Sequence, residues 1–130
     1  MFDILRKSLA TGIVTTTYPQ TAAELSTQAR GRPQIDFAQL KDARAAAAAC
    51  PTGALAVADQ AGTRAVTLDL AQCTFCGLCA EAEPAIRMTR ECELAATSRE
   101  ALRSTARYEL GADGTQRRFL GLQAAAPGPG

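Results

Sequence analysis

The chain contains no histidine, and its charged residues nearly cancel to a formal net charge of +1. Without histidine, the sequence excludes Cys/His zinc fingers, Rieske-type clusters and acid–base catalysis by imidazole. A net charge this small gives no indication of binding to a polyanion. We therefore expect no nucleic-acid partner.

Long apolar runs are also absent. No stretch reaches the roughly 20 apolar residues that a membrane-spanning helix requires. The N-terminal sequence "MFDILRKSLATGIVTTTYP" lacks the apolar block and the cleavage site of a signal peptide. We therefore expect a cytosolic protein.

Large side chains are scarce. Aromatic residues make up 5% of the 130-residue chain, and much of its 47% hydrophobic content is alanine. The length predicts one domain with appended segments, and the composition predicts a small, thinly packed core. A chain of this kind often depends on a metal centre or a partner for stability.

Against these absences stand five cysteines. An odd number in a cytosolic chain makes disulfides an unexpected use for them. Cys73, Cys76 and Cys79 lie in "CTFCGLCAEAEP" at C-x2-C-x2-C spacing. The bacterial ferredoxin run is C-x2-C-x2-C-x3-C-P, and its fourth cysteine binds the other cluster of a pair. In this chain Glu83, followed by Pro84, occupies that fourth position.

A second copy of the same template can be aligned on Cys50-Pro51, at the end of the alanine run "ARAAAAACP". Its first three ligand positions are then Leu40, Ala43 and Ala46, none of which binds metal. In the crossed ligation scheme, one cluster takes the first three cysteines of the second copy and the last cysteine of the first. This scheme gives one complete site at Cys50, Cys73, Cys76 and Cys79, and one site without any thiolate.

Other uses of these residues stay open. Four thiolates can bind one structural zinc ion, although zinc sites generally use two C-x2-4-C pairs, and the cysteines can also be free of metal. Cys92 lies outside the template, and we expect a buried structural cysteine there rather than a ligand. We expect Glu83 to be solvated or salt-bridged rather than a carboxylate ligand.

Near the N-terminus, Phe2, Leu5, Leu9 and Ile13 fall near one face of a predicted amphipathic helix over residues 1–14. Such a helix docks either on the core of its own protein or on a partner or membrane-facing subunit. Further along, the sequence predicts a wrapping connection over 18–33 and a helix over 36–49 capped by Asp36. It predicts strands over 55–58 and 65–70 joined by "DQAGTR", and a short strand at "AIRMT". A Thr97–Glu100 capping box then predicts a helix that runs through Leu102 to about Arg107.

The chain resembles the small ferredoxin-like subunit of formate hydrogenlyase and hydrogenase-4 type complexes, a relative of the two-cluster ferredoxin subunit of respiratory complex I. The resemblance covers roughly residues 1–110. It is based on the N-terminal helix and on the order of "TGIVTTTYP", "ARGRP", "CPTGAL", "CTFCGLC" and "AIRMT" followed by "CEL". The cysteine motif is the most specific of these segments.

The resemblance implies an α+β fold with a bacterial-type [4Fe–4S] ferredoxin core and an N-terminal helical arm. The domain organisation is then an arm and wrapping segment over 1–35, a one-cluster ferredoxin-like domain over 36–110 and a flexible tail over 111–130. It also implies a subunit at the cytoplasmic face of the inner membrane. Its expected partner is a hydrogenase small-subunit-like protein with a neighbouring cluster, and membrane-arm subunits are indirect partners.

We expect the protein to transfer single electrons through one [4Fe–4S] cluster and to have no substrate chemistry of its own. In the complex I relative, the cluster that corresponds to the complete site of this chain is the one nearer the hydrogenase-like neighbour. The relay of two clusters is therefore reduced here to one. An alternative is a scaffold subunit whose metal centre only stabilises the fold. A freely diffusing ferredoxin is disfavoured by the arm and by the near-neutral charge.

Overall fold

A computed structural model of the chain describes residues 2–13, 15, 17–21 and 24–124. The described residues form an α+β structure with antiparallel sheets and few helices, as predicted at this coarse level. In chain order the elements are α1 (Phe2–Thr11), β1 (Pro33–Ile35), α2 (Arg44–Ala48), β2 (Leu55–Gln60), β3 (Thr63–Asp69), α3 (Leu78–Ala82), β4 (Ile86–Met88), a 3-10 helix (Glu100–Leu102), β5 (Arg103–Leu110) and β6 (Gln116–Ala124).

The central part of the chain repeats one unit twice. The units β1-α2-β2 and β3-α3-β4 each consist of a strand, a short helix and a strand. The first strand of one unit pairs antiparallel with the last strand of the other, so β1 pairs with β4, and β2 with β3. Cys50-Pro51 and Glu83-Pro84 occupy equivalent places, each after a helix and before a strand.

The predicted strands over 55–58 and 65–70 correspond to β2 and β3. Their connection is tighter than the predicted loop, because Gln60 pairs with Thr63 across only Ala61 and Gly62. Both linking residues have positive φ, +45° and +76°. Two successive positive φ values define the primed hairpin turn whose twist matches that of the strands.

The predicted helix over 36–49 is reduced to α2. Asp36 does cap a turn, since its carboxylate accepts hydrogen bonds from the main-chain N–H groups of Ala38 and Gln39 at 3.1 and 3.3 Å. That turn ends at Leu40, and Asp42 then accepts from the N–H of Arg44 at 3.0 Å to begin α2. The helix is therefore confined to the alanine run, and only Ala46 within it is buried.

The predicted helix that runs through Leu102 to about Arg107 is wrong. Only Glu100–Leu102 is helical, as a single 3-10 turn, and Arg103 begins β5. The side chains of β5 alternate, with Ala106 and Tyr108 buried and Arg107 exposed. Pairing with the free edge of β3 satisfies the main-chain groups of both strands, which outweighs a local helical preference.

The flexible tail predicted over 111–130 is also corrected. Residues Gln116–Ala124 form β6, which pairs with β5 and completes a four-stranded sheet of order β2-β3-β5-β6. Residues 125–130, the other part of the predicted tail, lie outside the described residues.

The N-terminal helix is present as α1, and none of its residues is buried. Phe2 and Leu9, both on the predicted apolar face, are 86% and 77% exposed. The two ends of the predicted range, Met1 and Val14, lie outside the described residues. In this structure the helix therefore does not dock on the core of its own protein.

The end of the connection over 18–33 is joined to the core by main-chain hydrogen bonds. There the main-chain N–H groups of Gly31 and Arg32 donate to the carbonyls of Thr89 and Glu91 at 2.7 and 3.0 Å, which extends the β1–β4 pairing. Among the described residues, no helix combines the length and the apolar character needed to cross a membrane. The buried core consists of Ile35, Leu40, Ala43, Ala46, Leu55, Val66, Leu68, Ile86, Ala106 and Tyr108.

Candidate metal centre

Four of the five cysteines line one pocket. They are Cys50, Cys73, Cys76 and Cys79, the residues of the complete site in the crossed scheme. The other side chains and main-chain segments around the pocket are mostly apolar and come from both repeated units: Pro33, Thr52, Ala54, Leu55, Leu68, Thr74, Phe75, Gly77 and Met88.

The β2–β3 hairpin brings the remote cysteine to the other three. Cys50 precedes β2 and Cys73 follows β3, so antiparallel pairing of the two strands places both cysteines at the same end of the hairpin. Beyond the last ladder pair, the main-chain N–H of Asp69 donates to the carbonyl of Ala54 at 2.8 Å. The pairing register thus explains how residues far apart in sequence meet at one pocket.

The three-cysteine loop is held by two left-handed residues. Phe75 has a φ of +55° and Gly77 a φ of +88°. Positive φ is readily adopted by glycine, but it is uncommon for a bulky residue such as phenylalanine. Gly77 then begins α3, so Cys79 lies in the first turn of that helix. The loop is therefore bent tightly enough for all three cysteines to line one pocket.

Main-chain N–H groups point toward three of the sulfurs, those of Cys50, Cys73 and Cys79, the last through the N–H of Ala80. The N–H of Phe75 donates to Sγ of Cys73 at 3.4 Å. Burial alone would raise the pKa of Cys50, but the main-chain N–H groups of Leu55, Thr52 and Ala54, with the Thr52 hydroxyl, together hold that pKa below its ordinary value. Such donors favour the thiolate, which is the form of cysteine that binds metal.

Cys73 and Cys79 are affected differently. Burial raises the pKa of the Cys73 thiol, and nearby Cys50 and Cys76 raise it further. Burial likewise raises the pKa of Cys79, and the other three pocket cysteines add to the effect. Clustered thiols resist ionisation together, so binding of a cation would be coupled to the release of their protons.

A shared pocket does not by itself make the four cysteines a preformed metal site. Within the described parts of the chain, no group of three or more Cys, Asp or Glu side chains is arranged to hold a metal ion. All five cysteines are free of disulfides. The structure thus brings the four predicted ligands to one pocket, while their role as ligands stays a prediction.

The expectation of a buried Cys92 is wrong, because this residue is exposed. It follows β4 in a segment without helix or strand, flanked by Glu91 and Glu93. Glu83 is half-buried, and its carboxylate accepts a hydrogen bond from the main-chain N–H of Ala85 at 3.1 Å. Glu83 therefore stabilises the turn after α3, a role that sequence reasoning did not assign.

At the site without thiolates, the three replaced ligand positions are filled core. Leu40, Ala43 and Ala46 are 4%, 0% and 0% exposed, although only Ala46 lies within α2. Tyr108 of β5 packs in the same core cluster and is 1% exposed. Its hydroxyl donates to the main-chain carbonyl of Phe37 at 2.8 Å. The β5–β6 hairpin therefore holds the segment from Phe37 to Ala46, which contains the three replaced ligand positions, in place.

Two further polar contacts fix that segment, and sequence reasoning did not find them. The Gln116 amide donates to the carbonyl of Leu40 at 2.5 Å. The guanidinium of Arg64, 1% exposed, is bound in bidentate fashion by Asp59 at 2.7 and 2.8 Å and lies 3.5 Å from the Asp42 carboxylate. The alternation in "RSTARYEL" would have indicated the strand that covers this region, but the partners of Gln116 and Arg64 depend on tertiary contacts.

A buried carboxylate ties the C-terminal segment to the cysteine pocket. Asp69 accepts hydrogen bonds from Arg103 at 2.9 Å, from Arg99 at 3.2 Å and from the N–H of Ala71 at 3.0 Å. The hydrogen bond from Arg103, followed by that from Ala71, holds the pKa of Asp69 below its ordinary value despite burial. Because Asp69 also binds Ala54 through its main chain, it connects the chain before β2 with the approach to Cys73.

Comparison with known proteins adds no family assignment. No family model matches the chain, and no curated protein matches it.

Proposed function

We propose that this protein transfers single electrons through one [4Fe–4S] cluster held by Cys50, Cys73, Cys76 and Cys79. The observation that carries the proposal is the shared pocket of these four residues. The crossed ferredoxin scheme selects the same four cysteines and leaves Cys92 out. A pattern read from spacing alone and a pocket formed by folding thus agree on one set of residues.

The repeated topology supports a bacterial-type ferredoxin core. Each strand–helix–strand unit contributes to one potential cluster site by the crossed scheme, since Cys50 comes from the first unit and the three-cysteine loop belongs to the second. The opposite site has Leu40, Ala43 and Ala46 in the core in place of ligands. The topology and the packing are those expected of a protein that descends from a two-cluster ferredoxin and retained one of the two clusters.

The chain itself supplies ligands, hydrogen bonds and exclusion of water. When bound, a [4Fe–4S] cluster supplies reversible one-electron redox chemistry. The N–H donors at Cys50 and Cys73 stabilise charge on the sulfurs, and the apolar wall that includes Leu55 and Leu68 limits access of water. No residue is proposed to act on a substrate, so the protein is an electron-transfer component rather than an enzyme on its own.

The proposed setting is a membrane-associated complex that resembles a hydrogenase or complex I. The resemblance of the sequence supports this setting, with the protein at the cytoplasmic face of the inner membrane and beside a hydrogenase small-subunit-like partner that carries the next cluster. The exposed apolar side chains of α1, including Phe2, Ile4 and Leu9, support contact with another subunit. The second candidate is a scaffold subunit in which the metal only stabilises the fold, favoured by the loss of the other site.

The test is the metal content and redox behaviour of anaerobically purified protein. We expect about four irons and four sulfides per chain, the composition of one [4Fe–4S] cluster. We also expect a paramagnetic signal on reduction with dithionite. Zinc in place of iron, or twice the iron, would contradict the proposal, whereas a cluster that cannot be reduced or oxidised reversibly would favour the scaffold alternative.

A further inference from the structure

We propose that Arg30 is a positioning residue that raises the reduction potential of the proposed cluster by holding a positive charge against the cysteine loop. This inference depends on the proposed function, because it concerns the electrostatics of the same pocket. Its starting point is a contact between distant parts of the chain. The Arg30 guanidinium donates to the main-chain carbonyl of Cys76, the middle cysteine of the loop, at 2.5 Å.

The Arg30 side chain also lies along the next residue of that loop. A Cβ atom at Gly77 would be 3.8 Å from both Cδ and Nη1 of Arg30, and 3.6 Å from Cγ of Met88. The guanidinium and its stem therefore lie over the Cys76–Gly77 peptide. This peptide is part of the pocket wall, as Cys76, Gly77 and Met88 all line the pocket.

The main chain that carries Arg30 is firmly held. Gly31 donates to the Thr89 carbonyl at 2.7 Å, and a Cβ atom at Gly31 would clash with the main chain of Glu91. Arg32 and Thr89 are joined in turn, since the Thr89 N–H and hydroxyl donate to the Arg32 carbonyl at 3.1 and 2.7 Å. These contacts fix the position of the main chain next to Arg30, and therefore the point from which its side chain extends.

The charge of Arg30 is not cancelled by an ion pair among the residues that the structure describes. Arg32, two positions along, pairs with Glu91 at 2.6 Å, whereas the hydrogen bond that Arg30 makes is to a neutral carbonyl. Its positive charge therefore acts on the pocket without a neutralising carboxylate in contact. The net charge around a cluster is one of the factors that set its potential.

The direction of the effect follows from the charge of the two redox states. The reduced cluster carries one more negative charge than the oxidised cluster, so a nearby cation favours the reduced state. Arg30 is exposed, and salt therefore screens its interaction with the pocket. A residue that merely held the loop in shape would give an effect that does not depend on ionic strength.

The experiment is an anaerobic potentiometric titration, followed by paramagnetic resonance, of wild type, Arg30→Gln, Arg30→Lys and Arg32→Gln. At the potential where wild type is half reduced, we expect Arg30→Gln to lower the ratio of reduced to oxidised cluster by about threefold to tenfold, and tenfold corresponds to about 59 mV for one electron. Arg30→Lys should restore most of the potential, and Arg32→Gln should resemble wild type. High salt should reduce the difference between wild type and Arg30→Gln.

Equal potentials for wild type and Arg30→Gln would overturn the inference, as would an equal shift in Arg32→Gln or a shift that salt leaves unchanged. Arg30→Met is a second neutral variant that keeps the apolar stem. If both neutral variants lose iron while Arg30→Lys keeps it, Arg30 is needed for assembly and the tuning role is wrong. Wild-type protein without a reducible cluster would instead contradict the proposed function, before any variant is compared.

Discussion

Replacing Ala46 with aspartate tests the filled core at the site that lacks ligands. Ala46 is 0% exposed and lies on the inward face of α2. The substitution buries a carboxyl group in this core. The group is either ionised there, or it is neutral because its pKa is raised. The effective penalty for burying an unpaired charge is several kcal/mol after relaxation. Overpacking by a larger side chain adds about 1–3 kcal/mol.

Together, the penalties for burying the charge and for overpacking are a large fraction of the unfolding free energy of a whole domain, about 5–15 kcal/mol. A loss of about 4 kcal/mol lowers the unfolding midpoint by on the order of 10 °C or more for a chain of this size. The assay is thermal unfolding followed by circular dichroism, with anaerobic samples at neutral pH. Acidification should reduce the difference in unfolding midpoint between the variant and wild type. At low pH the new carboxyl is protonated in the unfolded state as well as in the folded state, so folding no longer has to neutralise it.

Ala48→Asp is the matched control, since Ala48 belongs to the same helix and is exposed. Its carboxylate remains in water, and the unfavourable charge at the last turn costs only about 0.3–1 kcal/mol. Equal unfolding midpoints for Ala46→Asp and Ala48→Asp would refute the reasoning. The inner face of α2 would then be open to solvent, and the replaced ligand positions would not be filled core.

Two other predictions concern the ligands and the residue that covers the filled site. Cys50→Ser should lose about as much iron as Cys76→Ser and leave a three-iron or labile centre, whereas Cys92→Ser should keep the wild-type iron content and spectrum; the opposite pattern would refute the ligand assignment. Burial raises the pKa of Tyr108 to about 12, so one of the two tyrosines should ionise only near that pH in an ultraviolet titration. Tyr108→Phe should remove this step and cost about 0.5–1.5 kcal/mol in unfolding free energy, because the part-buried carbonyl of Phe37 loses its donor; an unchanged titration would show that Tyr108 is not the late-ionising group.

Burial of Tyr108 also determines how alkali affects stability. Its folded-state pKa is above the value of about 10 in the unfolded chain. The stabilisation is therefore fully present below pH 10 and is lost as the pH rises through about 12. Wild type should lose stability over this range more steeply than Tyr108→Phe, which provides a second measurement of the same contact.

Much of the repeated core could be predicted from the sequence because its signals are local. The alternation in β2 and β3, the Ala61-Gly62 turn and the spacing of Cys73, Cys76 and Cys79 all lie within short windows. The crossed template extended this reasoning to Cys50, since it links the two halves of the chain by a fixed rule. The pocket that the four cysteines share is consistent with that rule.

The errors have a common physical origin in contacts between distant residues. The segment after Glu100 has a local capping signal, but the free edge of β3 offers a full strand partner, and β5 forms instead. Cys92 was expected to be buried because cysteine usually is. The chain after β4 instead runs along the surface, and Cys92 lies there between two glutamates. Sequence patterns record local preference, whereas these outcomes depend on which surfaces the remaining chain covers.

The β2–β3 hairpin has a consequence for the order in which a cofactor site could assemble. A metal that joined Cys50 to Cys73 in an unfolded chain would have to close the whole intervening loop, and for a loop of ~20 residues the length-dependent part of that entropy alone is about 3 kcal/mol. The hairpin closes this loop by its own ladder, around a turn of two residues. Cofactor insertion into the folded chain would thus begin with its most distant ligand already in place, and mutations in the hairpin turn should slow reconstitution even though they lie at the far end from the pocket.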